Sequence, residues 1–171
     1  MRKIQDTVRE LCAKNNVHFL NLGTSDPSDP DYVLTPDSVK EWEREHGAIE
    51  AGSWVVLRTD WYKRNESTAT FLNADEKGPH SPGPTAEAIE YLLTKNIVGW
   101  GSETVGTDAG SAGSMNPPFP AHNLVHKANR YGLASLCNLD QLPPKGAILI
   151  AAPLKFVNGT GSPVRALALV P

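Results

Sequence analysis

Thr85-Ala-Glu-Ala-Ile-Glu-Tyr-Leu-Leu-Thr-Lys-Asn-Ile-Val-Gly-Trp100 places a helix and a strand end to end, and that succession decides the fold class. Thr85 can cap the helix, Glu87 puts an acid in its first turn, and Ile89, Leu92 and Leu93 recur on one face, with Asn96 near its end. Ile97-Val-Gly-Trp100 then reads as a buried strand. Upstream, Thr35-Pro36-Asp37 starts another helix that ends near Gly47. Trp54-Val-Val-Leu57 is a short β-rich run, and Arg58-Thr-Asp-Trp61 leaves its end. Further back, Val17–Leu22 reads as a strand, and Ile4, Val8, Leu11 and Cys12 mark an amphipathic helix over about residues 4–14. Gly23–Pro30 and Asn65–Pro84 are dense in turn formers and read as surface loops. Downstream, Gly101–Pro118 is a long loop, and Pro120 begins a helix that Gly132 can terminate. Ala147-Ile-Leu-Ile-Ala-Ala152 is a continuous apolar run of the kind found in central strands, and Pro163–Val170 is a final strand. Alternating strands and helices give an α/β class with a mixed sheet.

The chain of 171 residues fits a single domain, without repeat or linker. With 40% hydrophobic and 20% charged residues it reads as an ordinary globular protein. No apolar run is long enough for a membrane helix, and Met1–Asn16 is too charged for a signal peptide, so a cytoplasmic protein away from membranes is expected. Charges of both signs are interspersed around a net of −3, which argues against a nucleic-acid partner. Cys12 and Cys137 stand apart without a CxxC pair and read as buried free thiols. Neither a GxSxG elbow nor a phosphate-binding GK[ST] is present.

Four phrases occur in a fixed order: Gly101-Ser-Glu-Thr-Val-Gly-Thr-Asp-Ala-Gly110, Phe119-Pro-Ala-His122, Asn138-Leu-Asp-Gln-Leu-Pro-Pro144 and Gly159-Thr-Gly-Ser-Pro-Val-Arg-Ala166. Together they resemble the C-terminal part of cyclase-family hydrolases, the metal-dependent group that includes kynurenine formamidase and isatin hydrolase. Tyr32-Val-Leu-Thr-Pro36, Leu57-Arg-Thr-Asp-Trp61 and His80-Ser-Pro-Gly-Pro84 are similar to the family's middle region, so the resemblance runs from residue 17 to the end, with residues 1–16 as an extra helix. It implies an α/β fold of the swivelling β/β/α type, here N-terminally shortened. It also implies hydrolysis of an amide, ester or lactam in a small ring-derived substrate, N-formylkynurenine and isatin being examples. A divalent metal, zinc or manganese, would activate the water. Family members draw most of their ligands from a motif HxGTHxDxPxH, followed by a late His and a Glu twelve residues beyond it. The motif does not occur in this sequence. His122 matches the late histidine, whereas the glutamate position is Ala134, which neither ligates nor moves a proton. A relative that no longer uses the metal therefore stands beside an active hydrolase as an expectation. A subunit completing its site with another chain is the third.

His122 and His126, four apart on the expected helix, would share one face, either as two members of a metal site or as two polar surface residues. Asp108 lies in the loop that approaches the family's site, where it would serve the chemistry or cap its own turn. Thr107 beside it, His80 and Trp61 are candidates for substrate binding. A solvent-exposed loop residue is the competing reading for His80, and a core aromatic for Trp61. Open sheet edges in a shortened fold would be covered by pairing, so a homodimer or larger assembly is expected.

Overall fold

In the computed structural model, which describes the backbone of residues 19–23 and the whole of residues 29–170, Trp54-Val-Val-Leu57 lies at the heart of a parallel sheet. The sheet consists of β1 (Phe19–Gly23), β3 (Trp54–Arg58), β7 (Gly99–Ser102) and β8 (Tyr131–Leu133), side by side in that order. Every neighbouring pair is parallel. The helix expected over residues 4–14, Cys12 and part of the Gly23–Pro30 loop lie outside the described residues, and Cys137, expected to be buried, is an exposed free thiol.

Parallel neighbours need a crossover, and helices supply it. α1 (Pro36–His46) bridges β1 to β3, and Thr35 Oγ1 accepts the Ser38 amide at 3.3 Å at its start. α3 (Ala86–Thr94) bridges β3 to β7 and is capped in the same way, Thr85 Oγ1 accepting the Ala88 amide at 3.2 Å. A π-helical turn, Ala121–Val125, lies between β7 and β8.

The alternation of β3 divides the core. Val55 and Leu57 face the helices and join Val39, Ala88, Ile89, Leu92, Trp100 and Val125 in one buried cluster. Trp54 and Val56 face the other way, onto Leu133, Leu136, Leu139 and Leu149. Each such side chain stabilises the fold by roughly 1.5–3 kcal/mol through the area it removes from water. The second face is closed by β9 (Ile148–Ile150) and β10 (Leu167–Leu169), an antiparallel pair of their own.

Several expectations are corrected here. The expected mix of strand directions is present but divided between sheets: among the described residues the four-stranded sheet is parallel, and antiparallel pairing joins β9 with β10 and the hairpin of β4 (Ala74–Asp75) and β5 (Gly78–Pro79). Ala147–Ala152 is not a central strand. Its apolar run covers the sheet, with Ile148 and Leu149 buried and Ile150 40% exposed. The strand expected at Ile97–Trp100 is shifted to Gly99–Ser102, because fully buried Ile97 serves the helix-side core instead of the ladder. Asn129, at φ 57°, turns the chain after the π-helical segment, and Gly132 sits inside β8. Asn65–Pro84 is more ordered than a loop. It holds α2 (Thr68–Leu72), with a Ser67–Thr70 capping box, the β4–β5 hairpin, and β6 (Gly83–Pro84), which pairs with β2 (Val33–Leu34). Among the described residues no helix is long and apolar enough to cross a membrane.

Gly99 pairs with Trp54 in the β3–β7 register, and a Cβ there would come within 2.4 Å of the indole. Gly99→Ala is expected to cost about 1–3 kcal/mol by overpacking. Urea unfolding would show it as a lowered midpoint, together with altered tryptophan emission; unchanged values would contradict this packing.

Candidate active site

Beyond the carboxyl end of a parallel strand the chain is free to build a site, and here the residues after β7 do so. Ser102 and Thr104 hydroxyls bond the Gly106 carbonyl at 2.7 and 2.8 Å, which folds the loop tightly back on itself. Ser135 and Leu136, just past β8, donate their amides to Thr104 and Ser102 carbonyls at 2.8 and 3.1 Å. The loop ends at Thr107 and Asp108, which are 5% and 7% exposed. The Thr107 carbonyl is fixed by the Trp100 indole at 2.9 Å.

The Asp108 carboxylate, taken out of water, is satisfied by the start of the π-helical segment. Its Oδ1 accepts the Ala121 amide at 2.5 Å and its Oδ2 the His122 amide at 3.2 Å. Asp108 is thus a cap, of a helix thirteen residues further on rather than of its own turn. Oδ2 also makes a very short bond with His122 Nδ1, and Thr107 Oγ1 lies 3.1 Å from the same nitrogen. A carboxylate can only accept, so Nδ1 carries the hydrogen, and the neutral tautomer then has its lone pair on Nε2. The imidazole side chain is 54% exposed. A positioned base with a buried carboxylate behind it can take a proton from water and return it to a leaving group. The π-helical backbone beneath it is of a kind often met at functional sites.

The structure brings Thr107, Asp108 and His122 together. His126 lies beside them, its ring centroid 5.9 Å from that of His122, but its Nδ1 is engaged with the Arg130 carbonyl at 3.2 Å. Among the described residues no group of three or more His, Cys, Asp or Glu side chains is placed to hold a metal ion. Ala134 is exposed just past β8. The residues described therefore do not by themselves fit the divalent cation implied by the resemblance.

Trp61 and His80 are placed elsewhere. Trp61 is 1% exposed, its indole donates to the Phe71 carbonyl at 2.9 Å, and the Arg64 guanidinium lies 4.3 Å over its ring. It belongs to the core and offers no face to a substrate. Both His80 ring nitrogens are paired with carboxylates instead of turned to solvent, Nδ1 with Asp31 and Nε2 with Asp75. A cleft of about 660 Å³ opens between β8 and residues 151–164, lined by Trp54, His126, Tyr131, Leu154 and Phe156. His122 and Asp108 are not in its lining, so the cleft does not enclose that pair.

Sequence reasoning passed over Glu103, although it lies in the quoted Gly101–Gly110 phrase. Its side chain is fully buried; Oε2 accepts the Thr59 amide at 2.7 Å and the Thr59 hydroxyl at 3.3 Å. Oε1 has no partner of ordinary hydrogen-bond geometry, with the Leu139 and Asp60 amides acting on the carboxyl from nearby. Burial pushes its pKa up, outweighing the amides that lower it. A lone acid at a strand end was the available signal. The nearby half-buried Arg58 and Asp60 and exposed Lys63 are paired, with Arg58 Nε and Lys63 Nζ each 2.7 Å from Asp60 and Lys63 also 3.5 Å from Asp140.

The cyclase family model matches residues 5–109. The chain is 66% identical over 164 residues to an isatin hydrolase of Roseibium aggregatum, which covers 96% of this chain and 62% of that protein. A kynurenine formamidase of Sphingopyxis alaskensis is 29% identical over 155 residues, covering 88% of this chain and 71% of that protein. A solved isatin hydrolase bound to the product analogue thioisatinate superposes with a TM-score of 0.87 at 67% identity, covering 91% of this chain and 59% of that one. The chain thus spans about three fifths of the isatin hydrolases it matches.

Because the Glu103 pKa is raised in the folded state, the stability tied to it is full below the ordinary value of 4.5 and is lost as pH rises through the folded value. Glu103→Gln should flatten that loss as pH rises above 4.5. Urea midpoints of both proteins across this range check it, and parallel profiles would refute it.

Proposed function

The chain belongs to the cyclase family, and on that footing we propose that it acts as a hydrolase opening an amide, ester or lactam bond of a small ring-derived substrate. The observation that carries this reading is the 66% identity over 164 residues to an isatin hydrolase. Kynurenine formamidase is the more distant relative at 29%, so a cyclic lactam such as isatin is favoured over an N-formyl group. We extend the family's swivelling β/β/α arrangement to this chain on the same ground.

In this reading His122 is the general base. Its Nε2 takes a proton from the attacking water as the oxygen bonds to the lactam carbonyl carbon, and Asp108 stabilises the imidazolium that forms. As the ring C–N bond breaks, the imidazolium returns the proton to the leaving nitrogen, which yields an amine and a carboxylic acid that then loses its proton to solvent. Thr107 helps to hold the imidazole. Cyclase-family hydrolases are metal-dependent, and in them zinc or manganese would polarise the carbonyl and lower the pKa of water. Of the described residues only the His122–His126 pair is available toward such an ion, too few for a site, and no step here runs through it.

A second reading has specific support. Ala134, at the position where the resemblance places the family's glutamate, favours a catalytically silent relative that binds a small molecule or partners another subunit. We also propose self-association as a homodimer or larger, supported by the exposed apolar residues Leu154, Phe156, Val157, Leu167 and Val170.

Purified protein incubated with isatin, with and without zinc or manganese, is expected to open the ring. His122→Ala should lower the rate by about a hundredfold or more. An absorbance assay for loss of isatin measures both. Absence of turnover under every metal condition would remove the hydrolase reading for this chain and leave the silent relative.

A further inference from the structure

Two loops near the acid–base pair touch backbone to backbone. A Cβ on Gly83 would lie 2.0 Å from the Ala109 nitrogen, and one on Gly110 would lie 2.2 Å from the Pro79 carbonyl oxygen. The Gly110 amide also donates to the Ser81 carbonyl at 2.8 Å. No clearance remains between residues 79–84 and 108–110, so a displacement of the first segment is passed to the second. Asp108, which holds the His122 ring, is the first residue of that second segment.

His80 lies inside the first segment, and its ring is gripped from two sides. Nδ1 is 2.8 and 3.1 Å from the two Asp31 carboxylate oxygens, and Nε2 is 3.1 Å from Asp75 Oδ1. Asp31, from the turn before β2, and Asp75, on β4, are the charged groups that face the ring. A carboxylate accepts and cannot donate, so both contacts hold only while both ring nitrogens carry hydrogen, which means the imidazolium. The neutral ring has one N–H and would turn a lone pair toward one aspartate. The His80 backbone is anchored as well, its amide donating to Asn73 O at 3.1 Å and its carbonyl accepting from Asn73 Nδ2 at 2.8 Å.

We propose that His80 is a positioning residue for Asp108: as a cation it ties residues 79–84 to the Asp31 turn and to β4, and through the two glycine contacts it sets the Asp108 carboxylate and the His122 ring. The inference rests on the acid–base role assigned to Asp108 and His122, yet its test reads ring and amide geometry and is independent of turnover. Hydrogen bonds to Asp31, then Asp75, raise the His80 pKa above its ordinary 6.5. The clamp is therefore complete below that value and is lost as pH rises through the higher folded one.

The test is nitrogen-15 NMR of the full chain between about pH 5.5 and about pH 9, following the His80 and His122 rings and the Gly110 and Ala121 amides. The His122 ring and both amides are expected to shift with the His80 midpoint, and Gly110 amide exchange to rise by about threefold on His80 deprotonation, as suits a partly exposed pair. In Asp75→Asn that shared midpoint should move to lower pH, and in His80→Gln the shared inflection should vanish. Signals of His122, Gly110 and Ala121 that pass through the His80 midpoint unchanged in the native chain would overturn the proposal, as would an inflection that survives in His80→Gln.

Discussion

A parallel sheet has no face it can leave to water, because its crossover helices take one side and its apolar strands require a cover on the other. The rest of this structure follows from that requirement. α1, α3 and the π-helical segment bury Val55, Leu57 and Trp100, while β9 and β10 close over Trp54 and Val56. With both faces closed, polar chemistry is left to the strand ends. Thr59, Glu103 and Ser135, with the loop leading to Asp108, all follow the ends of β3, β7 or β8.

At that rim two carboxylates have been removed from solvent, and they differ in how they are satisfied. Asp108 receives two amide hydrogens and an imidazole, so its burial is offset by bonds that also aim His122. Glu103 receives Thr59 on one oxygen, and its burial, outweighing the amides near the carboxyl, weakens its acidity. The first orients a neighbour. The second ties the turn after β3 to the loop after β7.

Much of this was legible in the sequence where local chemistry decides. Thr35 and Thr85 cap the helices assigned to them, since a hydroxyl before a helix start acts through near neighbours alone. Ala147–Ala152 lies off the main sheet because a continuous apolar run records burial and not rank within a sheet. A glycine after a helix suggests its end, yet here Asn129 accepts the left-handed turn and Gly132 makes room in β8 for the His126 ring, 3.1 Å from where a Cβ would sit. In the site, the order of phrases singled out Asp108 and His122. Their bond spans fourteen residues and depends on packing that no spacing rule encodes. The shielding of Trp61 by Arg64 and the pairing of His80 with Asp31, 49 positions away, are likewise tertiary facts.

The contacts at Gly83 and Gly110 reach beyond the fold itself. Neither residue has a side chain, yet each excludes every other amino acid unless a backbone segment gives way. In a saturation-mutagenesis map of this chain both positions would stand out as intolerant as His122, with no reacting atom of their own. A reader of such a map would have to separate two kinds of invariance, one enforced by chemistry and the other by the thickness of a polypeptide backbone.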